Sequence, residues 1–239
     1  MSKIALITGA SSGMGKAAAL RLSQEGFTIV AAARREDRLA ELADEIKRGG
    51  GECLPVKTDV GNLQEIQSLV QNTVLKYERI DLLFNNAGMM NAAPIEQLPH
   101  EDIEQMININ VLAAIRIVKE VVPVMKKQNT GLILNVSSVL GRKTRANAWV
   151  YAASKWAITA MNEGLREELV GTRIRVCSLQ PGVVNTELFD RFPEHPAKWQ
   201  NISEMIKPEE MADLIAYIVN LPWHLNINEV LIRPTEQIV

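Results

Sequence analysis

Tyr151 and Lys155 are the residues whose types and spacing best suit acid–base chemistry in this sequence. If their segment is helical, residues four apart lie on one face, with Cβ atoms about 5–6 Å apart. An ammonium beside a phenol favours the phenolate, so we expect Lys155 to lower the pKa of Tyr151 from its free value of about 10. Such a tyrosine can act as a general acid and base. An ordinary amphipathic surface pair has the same spacing, so the pair needs support from the rest of the chain.

The chain around this pair alternates between short apolar runs and helical segments. Runs typical of strands covered on both faces occupy 3–8, 28–33, 52–57, 80–84, 131–136, 173–179 and 228–232. Helical patterns between them include 37–48, 101–127 and 150–169. We expect Pro123 to kink the second of these helices near its end. The alternation predicts right-handed βαβ units and an α/β fold with a parallel sheet.

Composition narrows the class of protein. The 239 residues are 47% hydrophobic and 23% charged, as in ordinary globular proteins, and the formal net charge of −2 gives no reason to expect nucleic acid binding. The first apolar run stops at Thr8, and no stretch of about 18 apolar residues follows, so we expect no signal peptide, no membrane span and a cytoplasmic location. Cys53 and Cys177 read as free thiols, and the scattered histidines predict no metal site.

One irregular excursion interrupts the alternation at 187–207. Pro208 then begins another helix, because proline suits the first turn. An excursion of this length inside a compact domain is typical of a substrate lid, although a plain surface connection has the same appearance. We therefore expect one domain over 1–239 that carries a lid near 187–207.

A glycine-rich turn follows the first predicted strand. Residues 8–15 read Thr-Gly-Ala-Ser-Ser-Gly-Met-Gly, with Gly9, Gly13 and Gly15 at the point where the strand gives way to a helix. Glycines there let backbone N–H groups approach a phosphate, and the helix N-terminus adds a favourable dipole. The spacing differs from both the common dinucleotide fingerprint and the phosphate loop. A merely tight turn explains one glycine better than three.

Four features now occur in order along the chain. The glycine turn comes first, the sequence Asn-Asn-Ala-Gly at 85–88 follows the fourth strand, Ser138 follows the fifth, and the Tyr151/Lys155 pair lies 13 residues after Ser138. In this combination the sequence resembles the short-chain dehydrogenase/reductase family over nearly its whole length. The resemblance implies a doubly wound (Rossmann-type) domain with a seven-stranded parallel sheet and a nicotinamide cofactor at its carboxyl edge.

The resemblance also assigns roles to four side chains. Tyr151 would exchange a proton with the substrate oxygen, and Lys155 would bind the nicotinamide ribose and lower the tyrosine pKa. Ser138 would orient and polarise the substrate oxygen, whereas adjacent Ser137 is better explained as a hydroxyl bonded to backbone. Asn110 would hold a water that links the lysine to a proton path.

The end of the second strand indicates which nicotinamide nucleotide is used. NAD enzymes need a carboxylate there for the ribose 2′-hydroxyl, but Ala33 occupies that position. Arg34 follows at once, and a guanidinium suits a 2′-phosphate. Arg35 is a second candidate, for which a solvated side chain is the alternative; that alternative is weaker for Arg34. We therefore predict NADP(H).

The remaining cofactor contacts come from matching the family pattern residue by residue. Asp59 and Val60 would meet the adenine, Asn86 would mainly brace the sheet edge, and Val184 would present backbone to the carboxamide. The predicted cofactor-binding set is Gly9, Ser11, Ser12, Gly13, Met14, Gly15, Arg34, Arg35, Asp59, Val60, Asn86, Ala87, Gly88, Tyr151, Lys155, Pro181, Gly182, Val184 and Thr186.

The substrate side is less defined by sequence. Arg142, Lys143 and Arg145 lie between Ser138 and Tyr151, where they could receive an anionic substrate or form a solvated basic loop or an oligomer contact. Candidate apolar walls are Met89, Met90, Trp149 and Leu188.

The sequence therefore predicts an NADP(H)-dependent oxidoreductase acting on a small carbonyl/alcohol substrate. The C-terminal segment 226–237 resembles the subgroup of 3-hydroxy acid and clavulanic acid dehydrogenase-type reductases. The family resemblance also implies a homodimer or homotetramer that packs the helices near 101–127 and 150–169 against their copies. A catalytically silent nucleotide-sensing protein of the same fold is the alternative.

Overall fold

Seven apolar runs form one sheet in the part of the chain that the structure describes. The computed structural model describes residues 2–190, 192 and 194–238, so positions 191 and 193 of the predicted excursion and both terminal residues lie outside it. The strands are β1 (Lys3–Thr8), β2 (Phe27–Ala33), β3 (Cys53–Lys57), β4 (Leu82–Asn85), β5 (Gly131–Val136), β6 (Ile174–Pro181) and β7 (Glu229–Ile232). Their order is β3-β2-β1-β4-β5-β6-β7, and every pair is parallel, which confirms the predicted fold class.

Helices cover both faces of the sheet. They are α1 (Gly13–Gln24), α2 (Glu36–Arg48), α3 (Leu63–Tyr77), α4 (His100–Ile107), α5 (Ala113–Gln128), α6 (Trp149–Glu168), α7 (Pro196–Trp199) and α8 (Pro208–Asn220). On one face α1, α2 and α8 bury residues such as Leu22, Leu42 and Ile215. On the other face α3 and α5 bury residues such as Leu69 and Ile117. Among the described residues, no helix combines the length and the apolar character needed to cross a bilayer.

The segment predicted to contain a long helix over 101–127 is helical, with one widened turn. A π-helical turn at Asn108–Leu112 joins α4 to α5 without a break in the helical backbone, and Pro123 lies inside α5. The long helix is therefore present, although the apolar period of a helix does not reveal a single widened turn. Such turns often mark functional sites, and Asn110 lies within this one.

The sheet provides a binding crevice between β1 and β4. These neighbouring strands are the point where the strand order changes direction, with β2 and β3 on one side and β5 to β7 on the other. In open α/β sheets ligands bind outside the carboxyl ends of the strands at such a point. Thr8 and Asn85 end the two strands, so the glycine turn and the Ala87-Gly88 turn both begin at this crevice.

Three buried asparagines connect the central strands to α6. Asn85 and Asn135 are register partners on β4 and β5, and Asn85 Nδ2 donates to Asn135 Oδ1 at 2.9 Å. Asn135 Nδ2 in turn donates to Asn162 Oδ1 on α6 at 3.0 Å. Buried amides of this kind are costly when unpaired, so a connected set favours one position of the helix over others. The relay therefore helps to hold the helix that carries Tyr151 and Lys155.

Replacing the middle member of the relay should destabilise the fold. Asn135→Leu keeps the side-chain size but leaves groups of Asn85 and Asn162 without this partner, so we expect the free energy of unfolding to fall by about 2–4 kcal/mol. Asn72→Leu makes the same chemical change at an exposed position of α3, where about 0.5 kcal/mol or less is expected. Urea unfolding of both variants provides the measurement, and equal losses would contradict the relay.

Candidate active site

A cavity of about 1650 Å³ runs along the carboxyl edge of the sheet. Pockets for one small ligand are usually about 300–1,000 Å³, so this cavity has room for a dinucleotide and a second small molecule. Predicted site residues that line it are Gly9, Ser11, Ser12, Gly13, Met14, Arg34, Arg35, Asp59, Val60, Asn86, Ala87, Gly88, Ser138, Tyr151, Lys155, Pro181, Gly182, Val184 and Thr186. Gly15 and Asn110 support the wall from behind, as their contacts below show.

The glycine turn has the geometry of a phosphate cradle. Gly9 and Gly13 adopt φ angles of +65° and +52°, which side chains with a Cβ rarely adopt. A Cβ on Gly15 would lie only 2.3 Å from the Gly9 carbonyl oxygen, so a glycine is required there for close packing of the turn. The turn leads into the N-terminus of α1, where backbone N–H groups and the dipole favour an anion. These residues fit the pyrophosphate of a dinucleotide cofactor.

Thr8 and Asn86 join the two sides of the crevice. Thr8 Oγ1 accepts hydrogen bonds from the backbone N–H groups of Asn86 and Ala87, each at 3.0 Å. Asn86 Nδ2 donates to the Thr8 carbonyl at 2.9 Å and to the Gly9 carbonyl at 3.3 Å. Asn86 therefore braces the sheet edge beside the cavity, as the sequence predicted.

Asn110 holds the chain segment that follows Gly88. Its Oδ1 accepts from the backbone N–H of Met89, and its Nδ2 donates to the Met89 carbonyl, both at 2.9 Å. Its Nδ2 also donates to Ser154 Oγ on α6 at 3.0 Å. The side chain is buried, and it connects the π-helical turn, the cavity wall and α6. The predicted role in holding a water remains a prediction.

Lys155 is buried, with 4% of its surface exposed. Its Nζ donates to the Val136 carbonyl at 2.8 Å, which fixes the ammonium at the end of β5. Burial lowers the pKa of Lys155 from 10.5 to about 8, since a charged group loses its hydration there. Ser137 Oγ donates to the Lys155 carbonyl at 2.8 Å, so the backbone-bonding explanation of Ser137 holds.

Tyr151 lies beside Ser138 and Lys155, but its pKa moves against the sequence expectation. Burial raises the pKa of Tyr151 to about 12, and a hydrogen bond with Ser138 opposes this only in part. The expected lowering by Lys155 is therefore wrong for the protein alone. The Lys155 Nζ is 5.7 Å from the centre of the Tyr151 ring. Burial also lowers the pKa of Lys155, so the lysine favours the phenolate less strongly than an exposed ammonium would. The i, i+4 spacing brings the two residues together, but desolvation decides the direction of the shift.

At the end of β2 the two arginines differ in their surroundings. Arg34 is exposed and lines the cavity. Arg35 donates through Nε and Nη2 to Ser11 Oγ at 3.2 and 3.0 Å, and through Nη2 to Ser12 Oγ at 2.8 Å. Its Nη1 also pairs with Glu187 at 2.7 Å. Arg35 is therefore held against the glycine turn while 40% of its side chain stays exposed, and its contact with the cofactor remains a prediction.

Asp59 and Val60 line the cavity near the end of β3, as expected for a pair at the adenine end. Asp59 Oδ1 accepts from the backbone N–H of Gly61 at 2.9 Å, while its own N–H donates to Glu65 Oε2 at 2.7 Å. The turn is thus tied to the start of α3. Contact of Asp59 and Val60 with adenine remains a prediction.

The C-terminal segment contributes residues that sequence reasoning missed. Gln237 is buried and lines the cavity, and its Oε1 accepts from the backbone N–H of Val183 at 2.9 Å. Glu236 accepts from Ser203 Oγ at 2.9 Å. The segment therefore fastens both the Pro181-Gly182-Val183 turn and the end of the 187–207 excursion. No spacing pattern could reveal contacts between residues this far apart.

The three cationic residues between Ser138 and Tyr151 lie in different environments. Arg142 pairs with Glu229 and donates to Gln180 Oε1 at 3.1 Å, and Lys143 is exposed. Arg145 lines the cavity, where its guanidinium lies 5.0 Å from the Trp199 ring centre and burial lowers its pKa. Met89, Met90 and Leu188 line the cavity as predicted. Trp149 does not belong to the described lining and is 49% exposed, so its assignment as a wall was wrong.

Comparisons with known proteins agree with this geometry. Residues 3–197 match the family described as short chain dehydrogenase. An uncharacterised oxidoreductase of Listeria monocytogenes is 36% identical over 99% of this chain and 98% of its own length. A closed form of serine dehydrogenase complexed with NADP+ is 32% identical, with a TM-score of 0.90 over 98% of this chain and 96% of that one.

A second solved structure is an alcohol dehydrogenase of the archaeon Thermococcus sibiricus complexed with 5-hydroxy-NADP. It is 27% identical, with a TM-score of 0.90 over 99% of this chain and 98% of that one. The similarity thus extends over the full sheet, the crevice and the excursion. The chain belongs to the short-chain dehydrogenase/reductase family of oxidoreductases.

Proposed function

We propose that the protein is an NADP(H)-dependent oxidoreductase that transfers a hydride between the nicotinamide and a small carbonyl/alcohol substrate. The observation that carries this proposal is the meeting of Tyr151, Ser138 and Lys155 in one cavity with the glycine turn. The NADP-bound relatives named above support the cofactor assignment. The nicotinamide supplies or accepts the hydride when it is bound.

Tyr151 is the proton donor in the reduction direction. Its raised pKa of about 12 keeps the phenol protonated at neutral pH, which suits a general acid. Ser138 bonds to this phenol and also accepts from the Leu140 N–H at 3.1 Å, so its hydroxyl is held where it can orient a substrate oxygen. In the oxidation direction the phenolate form of the same tyrosine takes the proton from the alcohol and becomes the phenol, and Lys155 stabilises the phenolate before that transfer.

The cofactor-selecting residues are Arg34 and Arg35. Ala33 supplies no carboxylate for a ribose 2′-hydroxyl, while both guanidinium groups line the same end of the cavity. Arg35 is already oriented by Ser11 and Ser12, so it loses less side-chain freedom when it binds an anion. A 2′-phosphate therefore fits this end better than a hydroxyl does.

The substrate is a small polar carbonyl compound or its alcohol, with 3-hydroxy acids, aldehydes and ketones as candidates. Similarity to a serine dehydrogenase supports a hydroxy acid, and Arg145 provides a cation in the substrate half of the cavity. The apolar side chains of Met89, Met90 and Leu188 favour a compact substrate body. The 187–207 excursion is proposed as the lid over this half.

Apolar residues on the helices near the cavity support a homodimer or homotetramer. Leu112 at the end of the π-helical turn is 42% exposed, Ile115 on α5 is 44% exposed, and Trp156 on α6 is 49% exposed. Exposed apolar side chains of this size are typical of protein interfaces. We propose that these faces pack against copies of the same chain.

A catalytically silent nucleotide sensor of the same fold is the alternative. Such a protein needs the cradle but has no use for a proton donor in the cavity. The paired burial of Tyr151 and Lys155 favours chemistry, since burying both groups is costly without a function for them.

The Tyr151→Phe variant should separate the two functions. Loss of the phenol removes the proton donor, so NADPH oxidation should fall by about 10²–10⁴-fold while NADPH binding changes little. Tyr217→Phe, at a 61% exposed position on α8, is the matched control. NADPH absorbance with hydroxy acids, aldehydes and ketones gives the rates. Turnover that survives in Tyr151→Phe, or is absent from the native protein across this panel, would count against the proposal.

The buried lysine should give the protein alone a measurable pH dependence. Between pH 8 and 10.5 the folded state has lost the Lys155 proton that the unfolded state keeps, so the free energy of unfolding rises with pH. Lys155→Met removes this contribution. We expect the native protein to gain about 3 kcal/mol relative to the variant between pH 7 and pH 10.5. Urea unfolding at several pH values tests this, with the exposed Lys127→Met as control; a pH-independent difference would refute it.

Removing either arginine should weaken NADPH more than NADH. A charge-assisted hydrogen bond to phosphate is worth about 1.5–3 kcal/mol, so Arg34→Gln and Arg35→Gln should each raise the Kd of NADPH about 10- to 100-fold. The Kd of NADH should change by less than about threefold, because its ribose hydroxyls bind guanidinium weakly. Fluorescence titration measures both values, with exposed Arg48→Gln as control. Equal losses for the two nucleotides would remove the 2′-phosphate assignment.

A further inference from the structure

Glu187 brings a carboxylate from the far side of the cavity to the arginines at the end of β2. It begins the turn Glu187–Phe189, directly after Thr186, whereas Arg35 and Arg38 lie at the start of α2. Glu187 Oε2 accepts from Arg35 Nη1 at 2.7 Å, and its Oε1 accepts from Arg38 Nη1. Both guanidinium groups hold the pKa of Glu187 below its usual range, so the carboxylate is charged at neutral pH.

Arg35 is shared between this carboxylate and the glycine turn. Its Nε and Nη2 donate to the hydroxyls of Ser11 and Ser12, while its Nη1 donates to Glu187. One guanidinium therefore already has an anion among its partners. An incoming 2′-phosphate would compete with Glu187 for Arg35, and the two negative charges would lie close together.

The ribose of NAD(H), which carries a 2′-hydroxyl in place of the 2′-phosphate, would not be repelled by Glu187. NAD enzymes accept the ribose hydroxyl with a carboxylate at the end of the second strand, and Ala33 provides none here. Glu187 supplies a carboxylate next to the same strand end from another part of the chain. It opposes a 2′-phosphate, and it does not oppose a 2′-hydroxyl.

We infer that Glu187 is a specificity-determining residue that reduces the preference for NADP(H) over NAD(H) that the arginines create. This inference rests on the proposed function, since it concerns the nucleotide bound in that cavity. Arg38 moderates the effect, because it neutralises Glu187 without contacting Ser11 or Ser12. Glu187 and the arginines therefore act on nucleotide choice in opposite directions.

The test is the Kd of NADPH and of NADH measured by fluorescence titration of the full chain. Glu187→Gln keeps the side-chain size and removes the charge, so the Kd of NADPH should fall about tenfold, as expected for one unit charge at this range near a protein surface. The Kd of NADH should stay the same or rise. Glu204→Gln removes a charge from the same excursion at a side chain that is 81% exposed, and it should change neither value.

A second variant gives the opposite sign. Arg38→Gln leaves Glu187 less neutralised, so it should raise the Kd of NADPH, and the double variant with Glu187→Gln should abolish that rise. A weaker NADPH affinity in Glu187→Gln would overturn the inference, because Glu187 would then be preorganising Arg35 for the phosphate. An unchanged ratio of the two Kd values would also overturn it. A native protein that binds neither nucleotide would instead overturn the proposed function and this inference with it.

Discussion

The hydrogen bond from the buried Lys155 ammonium to the Val136 carbonyl is the interaction on which the rest of the site depends. It fixes α6 against the end of β5, so Tyr151 on α6 meets Ser138 just beyond that strand. The same burial sets the electrostatics, because a lysine and a phenol removed from water both resist their charged forms. Without a bound nucleotide the site therefore holds Tyr151 as the neutral phenol at neutral pH, beside a lysine whose proton is held less tightly than usual.

The fold supports this arrangement with polar contacts that lie behind the cavity wall. The asparagine relay crosses from β4 through β5 to α6, and Asn110 reaches from the π-helical turn to Met89 and Ser154. Each of these groups is buried and paired, so a shift of α6 would leave several of them unsatisfied. The position of Tyr151 thus depends on these buried asparagines as well as on the contact of Lys155 with β5.

The features that could be predicted from the sequence are those set by residues close together along the chain. The parallel sheet, the glycine turn and the face shared by Tyr151 and Lys155 follow from short spacings, and the structure agrees with them. Three features were beyond that reasoning. The direction of the Tyr151 pKa shift depends on burial, which a local pattern does not report. The π-helical turn leaves no recognisable pattern in the sequence. The contacts of Glu187 with Arg35 and of Gln237 with Val183 join segments that are distant along the chain.

Burial keeps Tyr151 protonated until the positively charged ring of an oxidised nicotinamide nucleotide lies beside it. The most direct measurement is the ultraviolet titration of the phenol, taken as the difference between the native protein and Tyr151→Phe. In the protein alone this difference signal should titrate near pH 12. With saturating NADP+ it should move to a lower pH by about two units or more, because a nearby positive charge favours the phenolate. An identical titration with and without NADP+ would contradict the account.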